Sequence, residues 1–287
     1  MDYRGRFAPS PTGQLHFGSL VAALGSWLCA RAQAGAWLVR MEDLDPPREV
    51  PGMAADILAT LSAFGMSADE PVLFQSTRTT AYEAAFERLR QADQVFPCWC
   101  SRSDLEQTAG IHRSPCIAPA STTRAPAWRL RVPDLDIAFE DGVFGRQTQN
   151  LHEVGDFVVK RVEGWYAYQL AVVVDDDAQG ITHVVRGADL LDSTARQIHL
   201  QRLLKYSTPH YLHLPLALDA DGRKLSKQDR AHPVLRNAPM PALRDALEFL
   251  GQPSDVDAAD AAQLLQGALR DFDATRIKKA ARMPQRS

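Results

Sequence analysis

Residues 6–20 read RFAPSPTGQLHFGSL and carry the most information in the chain. A short predicted strand ending at Phe7 is followed by a turn rich in Pro and Gly and then by the start of an apolar helix. A strand that turns into a helix presents free backbone N–H groups at the helix N-terminus, where anions bind. We therefore predict a nucleotide site, with His16 donating to a phosphate oxygen and Gly18 admitting the nucleotide. In the alternative interpretation, His16 only caps the helix.

Strand-like and helix-like segments alternate on both sides of this stretch. Strands are predicted at Tyr3–Phe7, Ala36–Met41 and Val72–Phe74, and helices at Ser19–Ala34, Ala54–Phe64 and Thr79–Ala92. Apolar runs return in DFVVKR, YQLAVVVDD and THVVRG, followed by a predicted helix at Ser193–Leu204, a strand at Tyr211–Leu218 and helical sequence after Pro241. Such alternation is typical of βαβ units. We predict an α/β fold, a Rossmann-like catalytic domain with a parallel sheet, an insertion and a short helical C-terminal region.

The expected domain organisation is a split nucleotide-binding domain. Residues 1–95 form its first half, residues 96–157 an insertion, residues 158–235 its second half, and residues 236–287 a helical region with a basic tail. Within the insertion, Phe96–Arg129 is rich in Cys, Ser, Thr, Pro and Arg and has no long apolar face. We expect something other than an apolar core to hold this segment together.

A cysteine cluster supplies one candidate for that role. Cys98, Cys100 and Cys116 lie close together with His112 among them, and such clusters in a reducing compartment indicate metal rather than disulfides. Three thiolates and one imidazole are an accepted structural zinc set. The alternative is a group of unrelated buried or free thiols. Cys29 lies in an apolar predicted helix and is expected to be an inert core residue.

Composition limits the class of protein. The 287 residues are 45% hydrophobic and 23% charged, with a formal net charge of −3, which is ordinary for a globular chain and excludes global disorder. A protein that coats nucleic acid through charge alone is also excluded. No segment approaches the ~20 apolar residues of a membrane span, and the N-terminus has no signal-peptide core, so we expect a cytoplasmic protein.

Two further motifs carry charge. Glu42 follows the apolar strand in VRMEDLDPPR, where its carboxylate can hold a ligand's ammonium group, although a polar capping loop is the alternative. Lys224 and Lys227 lie in GRKLSKQ, where two ammonium groups can neutralise a triphosphate as charge migrates during nucleotidyl transfer. Two lysines in a polar loop are otherwise usually solvent-exposed.

In this order, the motifs resemble the glutamyl subgroup of class I aminoacyl-tRNA synthetases. HFGS, His16–Ser19, is similar to the HIGH signature, with Ser in place of the last His, and KLSKQ, Lys224–Gln228, is similar to KMSKS. VRMEDLDPPR and RGADLLDST, Arg186–Thr194, are similar to two other motifs of the subgroup. The resemblance extends over about residues 4–250 and is strongest to a truncated paralogue family without the large helical anticodon-binding domain.

The resemblance implies a particular ligase reaction. Those paralogues activate L-glutamate with ATP and Mg²⁺ without needing tRNA, and then place glutamate on the queuosine base at the wobble position of tRNA(Asp). The implied partners are glutamate, ATP and the anticodon stem-loop of tRNA(Asp), and we take a monomer as the default. One alternative is a truncated glutamyl-tRNA synthetase that charges a tRNA 3′ end. Another is a non-catalytic amino-acid- or RNA-binding paralogue, against which the intact phosphate-handling motifs argue.

The resemblance also implies roles for particular residues. Glutamate binding is expected at Arg6, Ala8, Ser10, Glu42, Tyr168 and Arg186. Catalysis is expected at His16, Gly18, Ser19, Lys224 and Lys227, with ATP held by His16, Gly18 and Lys227. One structural zinc per chain is expected on Cys98, Cys100, His112 and Cys116, with His112 at a position where the family often has Tyr.

Physical chemistry supports the residues expected to bind glutamate. Arginine forks pair with carboxylates bidentately, and a tyrosine hydroxyl can donate to a carboxylate oxygen. We favour Arg6 over Arg186 for the side-chain carboxylate, although the sequence leaves this choice open. In the alternative interpretations, Tyr168 is a core aromatic and Arg186 forms a surface ion pair with Asp189.

Overall fold

A computed structural model describes residues 2–216 and 233–280 of the chain. Its first elements are β1 (Arg4–Phe7), α1 (Phe17–Ala32), β2 (Ala36–Met41), α2 (Met53–Ala63), β3 (Leu73–Phe74) and α3 (Thr79–Gln91). The middle of the chain contributes β4 (Val95–Cys98), β5 (Ala127–Leu130), β6 (Asp136–Asp141), β7 (Gly145–Asn150), α4 (Leu151–Val154) and β8 (Phe157–Lys160). The last elements are α5 (Tyr168–Ala178), β9 (His183–Gly187), α6 (Thr194–Leu204), β10 (His210–Leu214), α7 (Pro239–Phe249) and α8 (Ala261–Arg270).

The described strands form two sheets. The larger has seven strands in the order β3-β2-β1-β9-β10-β6-β7, and every neighbouring pair is parallel except β6 and β7. The smaller is antiparallel in the order β4-β5-β8. The predicted α/β fold with a parallel sheet is confirmed.

Helix α1 lies at the centre of the main core. Leu20, Leu24 and Leu28 are fully buried, because the helix packs on β1 and β9 with one side and on α7 with the other. A helix that is apolar around most of its circumference needs partners on both sides. Gly25 lets the helix approach β10, since a Cβ there would lie 2.7 Å from Leu214 Cδ1. The helical C-terminal region that the sequence predicts therefore covers α1.

The middle of the chain contributes strands to both sheets. The β6–β7 hairpin lies within residues 96–157, yet β6 pairs with β10 and extends the main sheet. Strand β8 begins at the expected boundary and joins the small sheet.

The YQLAVVVDD run forms helix α5, in which the apolar residues from Leu170 to Val174 are all buried. A short apolar run fits a buried strand or a buried helix equally well.

The remaining predicted elements lie within a few residues of the observed ones, and the last two residues of the predicted strand Tyr211–Leu218 lie outside the described ranges. Cys29 is buried in the core as predicted, and burial raises the pKa of its thiol to about 12. Along the described ranges, no helix combines the length and the apolar character needed to cross a membrane.

Candidate active site

A cavity of about 470 Å³ opens at the carboxyl ends of the parallel strands. It lies where β1 leads into α1 between β2 on one side and β9 on the other, the point at which α/β sheets bind ligands. Every residue predicted to bind glutamate lines the cavity, as do three of the four residues of the HIGH-like motif: Arg6, Ala8, Ser10, Glu42, Tyr168, Arg186, His16, Gly18 and Ser19.

Backbone hydrogen bonds hold the loop between β1 and α1 at the cavity. The Pro9 carbonyl accepts from the Glu42 N–H at 2.9 Å, which ties the loop to the end of β2. Pro233 forms a β-bridge with His16, and Leu216 lines the cavity. The predicted catalytic residues Lys224 and Lys227 fall between these two and lie outside the described residues, so their roles stay predictions.

His16 is the N-cap of α1. Its Nδ1 accepts from the Ser19 N–H at 3.3 Å, so the neutral ring carries its proton on Nε2, which lies 3.0 Å from Ser19 Oγ. A Cβ on Gly18 would lie only 3.3 Å from His16 Cε1, so glycine leaves room for the ring. The capping role considered as an alternative is therefore present. Phosphate binding by His16 stays a prediction.

A buried charge network, which the sequence analysis missed, supports the cavity wall. Asp176 on α5 accepts from Arg6 at 3.0 and 3.3 Å and from Arg40 Nη1 at 2.8 Å. Arg40 also donates to Glu42 Oε1 at 3.4 Å and to Gln179 Oε1 at 2.9 Å. The sequence held one signal of this network. Arg40 is a charged residue inside the apolar strand AWLVRM, and a buried arginine needs a buried partner.

The pKa values of the two carboxylates in this network are shifted in opposite directions. Burial raises the pKa of Asp176, but the Arg6 and Arg40 charges outweigh burial and hold that pKa below its usual value. Burial dominates at Glu42 and raises its pKa despite the opposing charges of Arg40 and Arg6. Asp176 is therefore the permanent counterion of the two arginines, whereas Glu42 is the more readily protonated carboxyl at the cavity.

The two candidate carboxylate-binding arginines differ in their free donors. Arg186 donates all five of its N–H groups within the protein, to the side chains of His213, Tyr168, Gln197 and Thr194 and to the Leu190 carbonyl. Arg6 donates to described residues only from Nε and Nη2, which leaves Nη1 without a partner among them. Arg186 is 5% exposed, which excludes the surface ion pair considered as an alternative.

The cysteine cluster forms a second candidate site, at the small sheet. The ligand atoms of Cys98, Cys100, His112 and Cys116 all lie within 4.8 Å of one another. His112 is buried and its Nε2 atom has no hydrogen-bond partner among the described residues, as expected of an atom placed to bind a metal. Burial raises the pKa of the Cys100 thiol, but the Ala118 and Ile117 N–H groups outweigh it and lower that pKa. These donors fit a structural metal centre.

Asp156 orients His112. Its Oδ2 atom lies 3.0 Å from His112 Nδ1 and accepts from Ser114 Oγ at 2.9 Å, while Oδ1 accepts from the Val132 N–H at 2.9 Å. The preceding Gly155 has a φ of +80°, and a Cβ there would lie 2.5 Å from the His112 carbonyl oxygen. A carboxylate on one imidazole nitrogen directs the other nitrogen at a metal.

Together the fold and the cavity define a class I aminoacyl-tRNA synthetase catalytic domain. A family model described as "tRNA synthetases class I (E and Q), catalytic domain" matches residues 2–126 and 120–238. The glutamate tRNA ligase of Elizabethkingia meningosepticum, solved in complex with its amino acid, has a TM-score of 0.83 and 26% identity. That similarity covers 99% of this chain and 67% of the ligase.

Two relatives narrow the class to one family. The glutamyl-Q tRNA(Asp) synthetase of Burkholderia cenocepacia (strain HI2424) is 59% identical over 268 residues, or 89% of this chain and 90% of that protein. The protein of the same name from Xanthomonas campestris pv. campestris (strain 8004) is 55% identical over 285 residues, or 98% of this chain and 95% of that protein. The chain belongs to the glutamyl-Q tRNA(Asp) synthetase family.

Proposed function

We propose that this enzyme activates L-glutamate with ATP, without tRNA, and transfers the glutamyl group to the queuosine base at the wobble position of tRNA(Asp). The observation that carries the proposal is the cavity at the carboxyl ends of β1, β2 and β9. It joins the N-terminus of α1, which suits phosphate, to Arg6 and Tyr168, which suit a carboxylate, and to the buried Glu42, which suits an ammonium group.

Arg6 binds a substrate carboxylate through the donors that Asp176 leaves unused. The bidentate pair with Asp176 fixes the guanidinium plane, so Nη1 is held in place before the substrate arrives. Glu42, in its ionised form, pairs with the substrate ammonium. Tyr168 donates its hydroxyl to a carboxylate oxygen, since burial raises the pKa of this phenol and keeps it protonated.

Activation is an attack of a glutamate α-carboxylate oxygen on the α-phosphorus of ATP, which breaks the bond to the β-phosphate and releases pyrophosphate. ATP enters as its Mg²⁺ complex. The protein contributes positioning of the two reactants and stabilisation of the charge that moves onto pyrophosphate. We assign the charge stabilisation to the N-terminus of α1 with His16 and Ser19. We assign it also to Lys224 and Lys227, because they lie in the KMSKS-like motif. The glutamyl group then passes from AMP to queuosine.

The four-residue cluster holds one structural zinc ion per chain. Three thiolates, an imidazole whose Nε2 atom no described residue engages, and a carboxylate behind that imidazole match the preference of zinc for tetrahedral N/S sites. Bound there, zinc would tie residues 98–116 to strand β4, because Cys98 is the last residue of that strand.

Pyrophosphate exchange tests the first half-reaction. Labelled pyrophosphate should enter ATP when the enzyme is given ATP, Mg²⁺ and L-glutamate and no RNA, and should not do so with L-aspartate or L-glutamine. Exchange that needs tRNA would favour a glutamyl-tRNA synthetase of the usual kind. Glutamate binding without exchange, at every tRNA tested, would favour a non-catalytic paralogue.

A further inference from the structure

A buried aspartate–histidine pair lies behind the glutamate cavity and has no role in the reaction as described above. His213 on β10 and Asp141 at the end of β6 have no exposed side-chain surface, and His213 Nδ1 lies 2.6 Å from Asp141 Oδ2. Asp141 also accepts from three backbone N–H groups, those of His213, Val143 and Phe144. These donors hold the carboxylate in one orientation across two neighbouring strands.

The pair fixes the tautomer of the imidazole. Burial raises the pKa of Asp141, but His213 and the Phe144 N–H outweigh it and lower that pKa, so the carboxylate is ionised and acts only as an acceptor. Nδ1 of His213 must therefore carry the proton. The opposite nitrogen, Nε2, is then a lone-pair acceptor, and it lies 3.0 Å from Arg186 Nε, which is always a donor.

Arg186 transmits this orientation to the cavity. With Nε fixed by His213, the plane of the guanidinium is set, and its other N–H groups meet Gln197 Oε1 at 2.7 Å and Thr194 Oγ1 at 2.9 Å. The Tyr168 hydroxyl at the cavity wall accepts the remaining Nη1 bond at 3.4 Å. A histidine proton on Nε2 would face the Arg186 Nε–H and break this chain.

We propose that Asp141 and His213 are positioning residues for glutamate binding, acting through Arg186 on Tyr168. This inference rests on the proposed function, because it assumes that glutamate occupies the cavity. It also gives the β6–β7 hairpin a direct connection to the amino-acid site, since Asp141 is the last residue of β6.

Two isosteric replacements of His213 separate positioning from simple packing. Gln places its side-chain oxygen near the former Nε2 atom and can still accept from Arg186. Asn places its amide near the former Nδ1 atom, where it can donate to Asp141 but cannot accept from Arg186. We expect His213→Asn to raise the KM for glutamate about tenfold, the cost of a lost hydrogen bond to a charged group, and His213→Gln to raise it less. The KM for ATP should stay within about twofold in both.

The control is His210→Asn, an exposed histidine on the same strand, which should leave both KM values unchanged. Equal glutamate KM values for the two His213 variants, or a larger increase for Gln than for Asn, would overturn the proposal. Equal losses for glutamate and ATP would overturn it as well, because they would indicate a general packing defect.

A measurement on the substrate-free protein keeps the proposal testable if the variants fold poorly. The ¹⁵N shifts of the His213 imidazole should show the neutral ring with its proton on Nδ1, and Asp141→Asn should move the proton to Nε2. A wild-type ring that is doubly protonated or protonated on Nε2 would contradict the proposal. This readout needs no glutamate, so it can fail or succeed independently of the wild-type pyrophosphate exchange that tests the proposed function.

Discussion

Arg6 and Asp176 form a two-pronged buried ion pair that joins β1 to α5 at the glutamate cavity, with N–O distances of 3.0 and 3.3 Å. Arg40 shares the same carboxylate from the neighbouring strand β2 at 2.8 Å. One aspartate thus holds two arginines whose side chains are at most 3% exposed. The pairing decides where Arg6 presents its Nη1 group, which no residue of the described ranges engages.

Loss of the Asp176 charge should cost both stability and glutamate binding. Asp176→Asn takes the counterion from the buried Arg6 and leaves Arg40 with Glu42 alone, and breaking a buried pair in this way costs about 3–5 kcal/mol. Urea unfolding should show a fall of that size in the free energy of unfolding. The neighbouring Asp177 is exposed, so Asp177→Asn is the matched control. Similar curves for the two variants would show that Asp176 is not the counterion.

Glu42 should serve glutamate and not ATP. Glu42→Gln keeps the shape of the side chain but removes the charge that faces the substrate ammonium, a loss of about 2–4 kcal/mol, or roughly 30- to 1,000-fold in affinity. The KM for glutamate in pyrophosphate exchange should rise accordingly, with the KM for ATP nearly intact. Comparable losses for both substrates would mean that Glu42 only supports the fold.

Glu42 should also make the kcat/KM for glutamate depend on pH. Burial raises the pKa of Glu42, and only its ionised form pairs with an ammonium group. The kcat/KM for glutamate should therefore be full above this pKa and fall as the pH drops through it. The side-chain carboxyl of free glutamate titrates lower, at about 4.3. Glu42→Gln should abolish the upper step and keep the lower one, and an unchanged profile would exclude Glu42 as its source.

Zinc affinity should depend on Asp156 as well as on the ligands. Cys100→Ser removes a ligand and should lower the zinc content below one ion per chain. Asp156→Asn leaves the ligands in place but frees His112 Nδ1 from its carboxylate, which should weaken zinc binding about 10- to 100-fold in competition with a chromophoric chelator. Glu106→Gln, at an exposed acid in the same segment, is the control. Unchanged affinity in Asp156→Asn would exclude the orienting role.

Substitution of Gly18 should weaken the binding of ATP and not that of glutamate. A Cβ there would crowd His16 at 3.3 Å and occupy space at the N-terminus of α1, where we place the phosphates. Gly18→Ala should raise the KM for ATP several-fold and change the KM for glutamate little. The reverse order of effects would move the nucleotide away from this helix.

The sequence predicted the local structure and the motif residues of the cavity, because periodicity and turn chemistry are local signals. Every glutamate-binding candidate lines one cavity because the carboxyl ends of parallel strands share one sheet edge. The supporting residues Asp176, Asp141, His213 and Asp156 were missed. Their partners lie 170, 72, 27 and 44 residues away along the chain, and a single sequence does not show which distant polar groups meet.

The position of the label on tRNA shows which group accepts glutamate. The enzyme is incubated with labelled glutamate, ATP and Mg²⁺ and with tRNA from queuosine-containing or queuosine-free cells, and the labelled tRNA is digested to locate the label. We predict label only on the queuosine nucleotide of tRNA(Asp), and none on queuosine-free tRNA. Label on a 3′-terminal adenosine, or equal transfer to both tRNA pools, would contradict it and favour a truncated glutamyl-tRNA synthetase.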